Sequence, residues 1–284
     1  MNCGAIASST FIRPLDYVTG SAFAWSLWLL NSRYTGYAFE ARRSSDNATT
    51  NVSFDKGVVT NSSAVSAGGN FGTWRGADTI FIRTQYDQSG NACNVVQTNT
   101  SLQFIYTDNH YLGRPSIRSV SNSYGQGTST VLKNINSYSE YFRMYANNGA
   151  AGSNMILEGG NGTLSGLFTT ANNNARFLYR SPYNNSGGDN IQSSNGTIPS
   201  ATYFNYTGVR NGTAGTQTVW VNGGSSATLS SLAQPAWPNT NMLMTLCANG
   251  GSIGSGSLVG YIFAGTGFPY ALNATQRAYL QANI

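Results

Sequence analysis

Residues 201–224 read ATYFNYTGVRNGTAGTQTVWVNGG, and this stretch decides the fold class. Two runs rich in aromatic and β-branched residues, 201–210 and 216–222, are separated by small and polar residues. Such runs are typical of β-strands, and Asn-Gly pairs are typical of the turns between them. The stretch therefore predicts two strands, followed by a second turn at residues 222–224.

The same pattern recurs along the chain. Strands are also predicted at 37–42, 78–84, 93–98, 102–106, 129–135, 138–145, 154–158, 164–169, 176–180, 242–247 and 257–264. Clusters of Asn and Gly at 147–149 and 159–162 separate several of them. Short strands at this spacing predict an all-β sandwich or barrel.

Two segments predict short helices instead. Residues 21–30, SAFAWSLWLL, place apolar side chains three and four positions apart, which favours a helix within 19–33 packed on the sandwich. A helix this rich in Trp could also bind a partner, but core packing is the favoured interpretation. At the other end, Asn273 and Gln276 have the spacing of a capping box and predict a helix over 273–283, with Tyr279 and Leu280 buried.

Composition excludes several function classes. Hydrophobic residues make up 40% of the 284 residues, and charged residues only 9%, against roughly 25% in an average soluble domain. The net charge of +5 comes from scattered arginines, and a nucleic-acid-binding protein concentrates its charge in a stripe. No apolar run is long enough to span a membrane. The sequence thus predicts neither nucleic-acid binding nor a membrane span.

The three cysteines, Cys3, Cys93 and Cys247, do not form a C-x-x-C pair. We expect three buried thiols, with one bridge plus one free thiol as the alternative, and neither a metal site nor a cofactor. The first residues, MNCGAI, do not resemble a signal peptide, although the composition is that of an exterior protein. A virion component would have both an exterior-type composition and a start unlike a signal peptide, because it is made in the host cytoplasm and later exposed on the virion surface. An extracellular protein is the alternative.

Four segments carry a resemblance to known families. Residues 32–47, SRYTGYAFEARRSSDN, and 86–91, YDQSGN, resemble the catalytic domain of arabinofuranosidase B-type glycosidases. Residues 219–223, VWVNG, and 260–277, with GYIF and LNATQR at its two ends, resemble the strand-turn and the closing strand and helix of laminin-G-like lectin modules. The resemblance implies an all-β, concanavalin-A-like jelly-roll sandwich of two antiparallel sheets over residues 14–284. Residues 1–13 would then be an N-terminal extension, a candidate attachment arm. Related domains occur in phage tail and other virion proteins.

The resemblance argues against catalysis. The family's retaining enzymes use two carboxyl groups about 5 Å apart. Where the family places its nucleophile, before two Asn, this chain has Tyr183; where it places its acid, after two Gly, it has Ser252. Tyrosine and serine cannot replace carboxylates in this mechanism, so the resemblance implies a non-enzymatic protein.

The remaining acids offer only weak catalytic candidates. Glu158 and Asp189 fall in Gly/Asn-rich segments that could form a cleft and would be the general acid and nucleophile of an enzyme. Solvated loop carboxylates are the favoured interpretation, since neither has a visible partner. His110 lacks a nucleophile motif and is interpreted as a loop histidine.

Residues Tyr86, Asp87, Ser89, Gly90 and Asn91 form the most specific motif. Their oxygens could bind Ca²⁺, but the segment lacks the density of acids found in an EF-hand loop. We expect a structural turn in which Asp87 and Asn91 bond backbone amides.

Glycan binding requires aromatic rings on polar loops. Candidates flanked by Asn, Gly or Pro, or otherwise in polar surroundings, are Trp74, Tyr124, Tyr183, Tyr203, Trp237 and Tyr270. Any one of them is more often a core residue than a ligand contact.

The sequence therefore predicts a non-enzymatic protein of a virion surface, a bacteriophage head decoration or tail or fibre component that binds a host-surface glycan. Its expected partners are other virion proteins and further copies of itself, for example as a trimer. The alternative is a secreted glycoside hydrolase of the arabinofuranosidase type; a cell-surface lectin module is a third interpretation.

Overall fold

A computed structural model describes residues 12–120, 122–146, 154–159, 164–169, 176–179, 189–192, 198, 201–233, 239–247 and 258–284. Within these ranges the chain forms three helices, α1 (Pro14–Tyr17), α2 (Phe71–Arg75) and α3 (Ala274–Asn283). It also forms eighteen strands: β1 (Phe23–Ser26), β2 (Phe39–Arg43), β3 (Thr49–Val52), β4 (Ile80–Gln85), β5 (Val95–Val96), β6 (Phe104–Tyr111), β7 (Arg114–Ser119), β8 (Gly125–Ser129), β9 (Tyr138–Ala146), β10 (Asn154–Gly159), β11 (Leu164–Thr169), β12 (Arg176–Tyr179), β13 (Asp189–Gln192), β14 (Tyr203–Asn211), β15 (Thr216–Val221), β16 (Gly224–Ser230), β17 (Met242–Leu246) and β18 (Gly260–Phe268).

The described strands pair antiparallel throughout. One run of neighbours is β16–β15–β14–β9–β18, with β1 and β7 sharing the far edge of β18. The other runs from β3 through β2, β4, β5, β8, β17, β10, β11 and β12 to β13. The hairpin β6–β7 joins them by pairing with β4 and β18. The predicted all-β jelly-roll sandwich is confirmed.

Strand β9 shows where the core lies. Tyr138, Phe142 and Met144, at alternate positions, belong to the main hydrophobic cluster between the layers. Tyr141, on the other face, packs in a second cluster with Leu280 of α3. Because alternate side chains of a strand point to opposite faces, β9 is buried on both sides over residues 138–142.

The helix predicted over residues 19–33 is wrong. Its apolar centre is β1, which pairs with β18, Phe23 opposite Gly267 and Ser26 opposite Ala264. All four β1 residues are buried. A short apolar run buried on both faces has no strand alternation, so its spacing imitates a helix.

The C-terminal helix is confirmed. The Asn273 side chain accepts a hydrogen bond from the Gln276 backbone N–H at 2.9 Å, and the Gln276 side chain accepts one from the Asn273 N–H at 3.0 Å. Leu280 is buried, as predicted, and Tyr279 is partly buried and stacks on Tyr17 with ring centres 4.1 Å apart.

The motif at residues 86–91 holds β1 in place. The Asp87 carboxylate accepts hydrogen bonds from the backbone N–H groups of Ala24 (2.7 Å), Ser89 (2.9 Å) and Cys93 (3.0 Å). Asn91 differs from expectation, since its amide donates to the carbonyl oxygens of Ser21 and Ala22 in the segment that leads into β1. Donors thus occupy both carboxylate oxygens of Asp87.

Two thiols are buried and free, Cys93 and Cys247, and burial raises the pKa of each to about 12. They are inert at neutral pH because the thiolate is the reactive form. Cys3 lies outside the described residues. In the part of the chain that the structure describes, no helix is long and apolar enough to cross a membrane.

Candidate functional site: a partly exposed tyrosine cluster

A row of aromatic side chains crosses three adjacent strands. Tyr145 of β9 lies directly opposite Tyr203 of β14 on one side and Tyr261 of β18 on the other. Neighbouring strands lie about 4.8 Å apart, so residues in register on one face touch. The ring centre of Tyr145 lies 5.1 Å from that of Tyr203 and 5.8 Å from that of Tyr261. All three side chains are partly exposed.

The end of the β6–β7 hairpin completes this surface. His110 stacks on Tyr261 with ring centres 3.5 Å apart, and the ring centre of Tyr111 lies 4.1 Å from that of Tyr203. The Tyr203 hydroxyl donates a hydrogen bond to the His110 carbonyl oxygen at 2.9 Å. His110, Tyr111, Tyr145, Tyr203 and Tyr261 are called the tyrosine cluster below.

A β-bulge supports the cluster from below. The register between β18 and β9 shifts between Ile262 and Ala264, which leaves Phe263 as an extra residue. Bulges of this kind redirect a side chain and are frequent beside functional sites. Phe263 is fully buried, and its ring centre lies 5.0 Å from Tyr111 and 5.3 Å from Tyr203. Phe263 therefore packs against two rings of the cluster.

The hairpin turn beside the cluster is strained. Tyr111 pairs with Arg114 across a two-residue turn in which Leu112 has φ 49° and Gly113 φ 71°. Positive φ at both positions is the type I′ geometry, which Asn and Gly adopt readily and a leucine does not. The Leu112 side chain is also 77% exposed. A leucine in this conformation destabilises the folded state, and strained residues of this kind are frequent at functional sites.

Positive charge borders the cluster. Arg118 of β7 is in register with Tyr261 and extends the row by one strand. The Arg143 guanidinium lies 4.8 Å from the centre of the Tyr111 ring and donates to the Tyr111 hydroxyl. The Arg143 Nε is buried and has no hydrogen-bond partner within the described residues. Burial, and secondarily the charge of Arg118, lowers the pKa of His110. At neutral pH the imidazole is therefore uncharged and stacks as an aromatic ring.

The cluster itself offers ring faces and hydrogen-bond donors but no carboxylate. Partly exposed aromatic faces stack on the C–H faces of sugar rings, while hydroxyl and guanidinium groups bond to sugar hydroxyls. Acid–base chemistry on a glycosidic bond would require carboxyl groups as well. The cluster thus presents the kinds of group that contact sugars in saccharide-binding surfaces.

Of the six aromatic residues predicted to bind glycan, the structure describes four, and among these four Tyr203 alone lies in the cluster. Trp74 belongs to α2, where it stacks near Phe71 beneath the guanidinium of Arg43, and Tyr124 precedes β8. The Tyr270 hydroxyl donates to the Thr19 carbonyl oxygen at 2.6 Å. Tyr183 and Trp237 lie outside the described residues, as does Ser252.

The two weak catalytic candidates, Glu158 and Asp189, were predicted to lie in loops, but both lie in strands. The register places Glu158 of β10 opposite Ser165, Ser165 opposite Leu178, and Leu178 opposite Asn190, the neighbour of Asp189. Three strand spacings separate the two positions, about 14 Å. Retaining glycosidases place their carboxyl groups about 5 Å apart, and inverting ones about 6.5–9.5 Å.

Asp189 also has a partner of its own. Its carboxylate forms an ion pair with the Arg210 guanidinium at 2.5 Å, and both side chains are almost fully buried. The same carboxylate accepts a hydrogen bond from the Ala233 backbone N–H at 2.8 Å. This carboxylate links β13 to Arg210 of β14 and is not exposed to a substrate.

Sequence reasoning missed four of the five cluster residues. His110 was interpreted as a loop histidine, but it lies in β6. Tyr145 and Tyr261 fell inside predicted strands, where a tyrosine is usually a core residue. The one signal available was that both stand at strand ends close to Asn or Gly; the register that brings them together is a tertiary property.

Comparison with known proteins yields a fold but not a family. No family model matches the sequence, and no curated protein matches it significantly. A solved arabinofuranosidase complexed with arabinofuranosyl-α-1,2-xylobiose is similar over 95% of this chain, with 14% identity and a TM-score of 0.63. A GH54 α-L-arabinofuranosidase soaked with a cyclic sulfate inhibitor gives 15% identity and a TM-score of 0.62 over the same share. This chain spans 64% of the length of either.

A binding domain is similar as well. The botulinum neurotoxin serotype G binding domain has a TM-score of 0.52 and 16% identity, over 74% of this chain and 49% of that one. At such low identities these likenesses show the fold alone. They support the sandwich architecture that the strand pairing already gives, in agreement with the resemblance seen in the sequence.

Proposed function

We propose that this protein is a non-catalytic glycan-binding module, with the tyrosine cluster as its binding surface. The observation that carries the proposal is the register that aligns Tyr203, Tyr145 and Tyr261 as three partly exposed rings on one sheet face. Because strand register and ring–ring contacts already position these side chains, little of their conformational freedom remains to be lost on binding, which favours affinity. Glycoside hydrolases and a toxin binding domain share the fold, which is consistent with this use.

The test is binding of the purified chain to an array of neutral and acidic glycans, with the variants Tyr145→Ala and Tyr203→Ala. Loss of a stacking ring at the centre of a binding site is expected to reduce affinity about tenfold. Tyr37→Ala is the matched control, because Tyr37 is 39% exposed and lies outside the cluster. Unchanged array binding in both cluster variants, with correctly folded protein, contradicts the proposal.

We also propose that the module is displayed on the surface of a virion, assembled as a closed oligomer such as a trimer. The support is compositional: few charged residues, many Asn, Ser, Thr and Gly, and an all-β fold of short strands. Closed symmetric assemblies are the usual form of homo-oligomers. A secreted arabinofuranosidase is the rival, and the fold likeness is its support. The two differ in solution mass and in hydrolytic activity.

A further inference from the structure

A cavity lies next to the β6–β7 hairpin, which also carries His110 and Tyr111 of the tyrosine cluster. It has a volume of about 370 Å³, and its lining includes Arg13, Trp28, Lys56, Arg114 and Asn283. Ligand pockets commonly begin at about 300 Å³, so a single sugar residue fits. Three of these side chains carry a positive charge, and none of the lining side chains is acidic. This cavity is called the basic pocket below.

Two tight turns place the positive charges. Lys56 (φ 50°) and Gly57 (φ 89°) form a two-residue turn between Asp55 and Val58, whose backbones exchange hydrogen bonds of 2.7 and 3.0 Å. The turn holds the exposed Lys56 at its tip. Arg114 follows the strained turn at Leu112 and Gly113, and its guanidinium lies 4.2 Å from the centre of the Trp28 ring. The Trp28 ring thus orients a cation that remains open to solvent.

Lys56 and Arg114 are two cations of the basic pocket outside the ion pairs seen elsewhere in the described residues. Those ion pairs join Arg43 to Asp46, Arg75 to Asp108, Arg83 to Glu40 and Arg210 to Asp189. The Asp55 carboxylate, next to Lys56 in sequence, accepts a hydrogen bond from the Thr60 hydroxyl. Desolvation lowers the pKa of Arg114, and the charges of Arg13 and Arg143 lower it further. Cations that repel one another at a surface attract an anion.

The basic pocket adjoins the tyrosine cluster at the β6–β7 hairpin. Arg114 pairs with Tyr111, a cluster residue, across the hairpin turn. The Trp28 ring centre lies 6.3 Å from that of Phe263, which supports Tyr203. Arg143, which contacts Tyr111, is close enough to Arg114 to affect its pKa. A chain of sugar residues lying on the cluster can therefore reach the basic pocket.

We propose that the basic pocket binds the carboxylate of an acidic sugar, so that the glycan recognised by this protein is acidic. The inference rests on the proposed function, since it takes the tyrosine cluster to be the saccharide surface. A guanidinium and an ammonium group bind a carboxylate with charge-assisted hydrogen bonds. Neutral sugars would leave these cations without an anionic partner, which gives the selectivity its physical basis.

The experiment uses competition by pairs of monosaccharides that differ only at C6, where the acid carries a carboxylate and the neutral sugar a hydroxymethyl group. Glucuronate is compared with glucose, and galacturonate with galactose, as inhibitors of binding to the strongest array glycan. We expect the acids to inhibit at concentrations at least about tenfold lower, with the advantage lost at high salt. Lys56→Gln and Arg114→Gln should each weaken inhibition by the acids about fivefold and leave that by the neutral sugars unchanged. Lys133→Gln, an exposed lysine outside the pocket, is the matched control.

The outcomes separate the two proposals. Equal inhibition by acids and neutral sugars, or array binding confined to neutral glycans, overturns the acidic-sugar inference and leaves the tyrosine cluster as a glycan site. Array binding that is absent, or insensitive to Tyr203→Ala, overturns the proposed function and the inference together. Binding of a short single-stranded DNA as tightly as of the acidic glycans also overturns the inference, because charge alone would then explain it.

Discussion

Glu140 is a carboxylic acid in the middle of the hydrophobic core. Its side chain is 0% exposed and accepts hydrogen bonds from the hydroxyl groups of Tyr206 at 2.8 Å and Tyr138 at 3.1 Å. Burial raises the pKa of Glu140 from 4.5 to about 7, and the two hydroxyl groups only partly oppose this. The folded protein therefore holds a proton there at pH values at which the unfolded chain has lost it.

This proton makes stability depend on pH. The pKa of Glu140 is higher in the folded state than in the unfolded chain. Its contribution to stability is therefore fully present below pH 4.5 and is lost as the pH rises to about 7. The loss is on the order of 3 kcal/mol. We therefore expect the urea concentration at the unfolding midpoint of the wild-type protein to decrease as the pH is raised from 5 to 8.

Glu140→Gln isolates this effect. Glutamine has the shape of glutamic acid but does not titrate. As the pH rises, the unfolding free energy of the wild type should therefore decrease relative to that of the variant. Other groups cancel in this difference, including His110, whose pKa shift is in the opposite sense. A difference independent of pH would show that Glu140 is ionised or hydrated in the folded state.

At the scale of elements, β8 depends on glycine for close packing. A Cβ atom at Gly127 would lie inside contact distance of the Asn94 carbonyl oxygen, a backbone atom that cannot rotate away. Gly127→Ala is therefore expected to destabilise the protein by about 1–3 kcal/mol, the cost typical of overpacking. Gly224→Ala is the control, because its nearest neighbour would lie at an ordinary 3.7 Å. Urea unfolding of both variants measures this, and equal midpoints would contradict it.

Elements with a local signal could be predicted from the sequence, and those without one could not. The start of α3 is specified by a capping box between Asn273 and Gln276, three residues apart. The strands β14 and β15 are specified by their residue types and by the turns that flank them. The segment at β1 was misassigned because its environment is set by distant residues: it pairs with β18, and the two hydrophobic clusters bury its two faces. The segment 129–135 was predicted as a strand, whereas β8 precedes it and reads GQGTS, with two glycines that suggest a turn.

The candidate site was less predictable than the fold. Tyr203 was a candidate on composition alone, but its neighbours in space come from β6, β9 and β18, between about 60 and 90 residues away along the chain. Asp189 was interpreted as a loop carboxylate without a partner, and its partner Arg210 became visible only through tertiary packing. Contacts between strands distant in sequence depend on register, which local composition does not specify.

At the scale of the whole molecule, binding and hydrolysis make different demands. A secreted hydrolase must keep two carboxyl groups close together in an open cleft. Here Glu158 and Asp189 are three strands apart, and Asp189 is committed to Arg210. Exposed large hydrophobic side chains of the described residues are Ile12, Tyr17, Tyr37, Val96, Leu112 and Val259. Such side chains become contacts when copies of a chain assemble.

The purified chain is therefore expected to be assembled and catalytically inactive. Light scattering should give a multiple of the 30.2 kDa chain mass, three for a trimer, since a low charge density opposes association only weakly. Aryl arabinofuranosides should not be hydrolysed above background, and Asp189→Asn should lower the unfolding free energy by leaving Arg210 buried without its ion pair. A monomer that hydrolyses the arabinofuranoside, and loses that activity with Glu158→Gln or Asp189→Asn while remaining folded, would establish the rival enzyme.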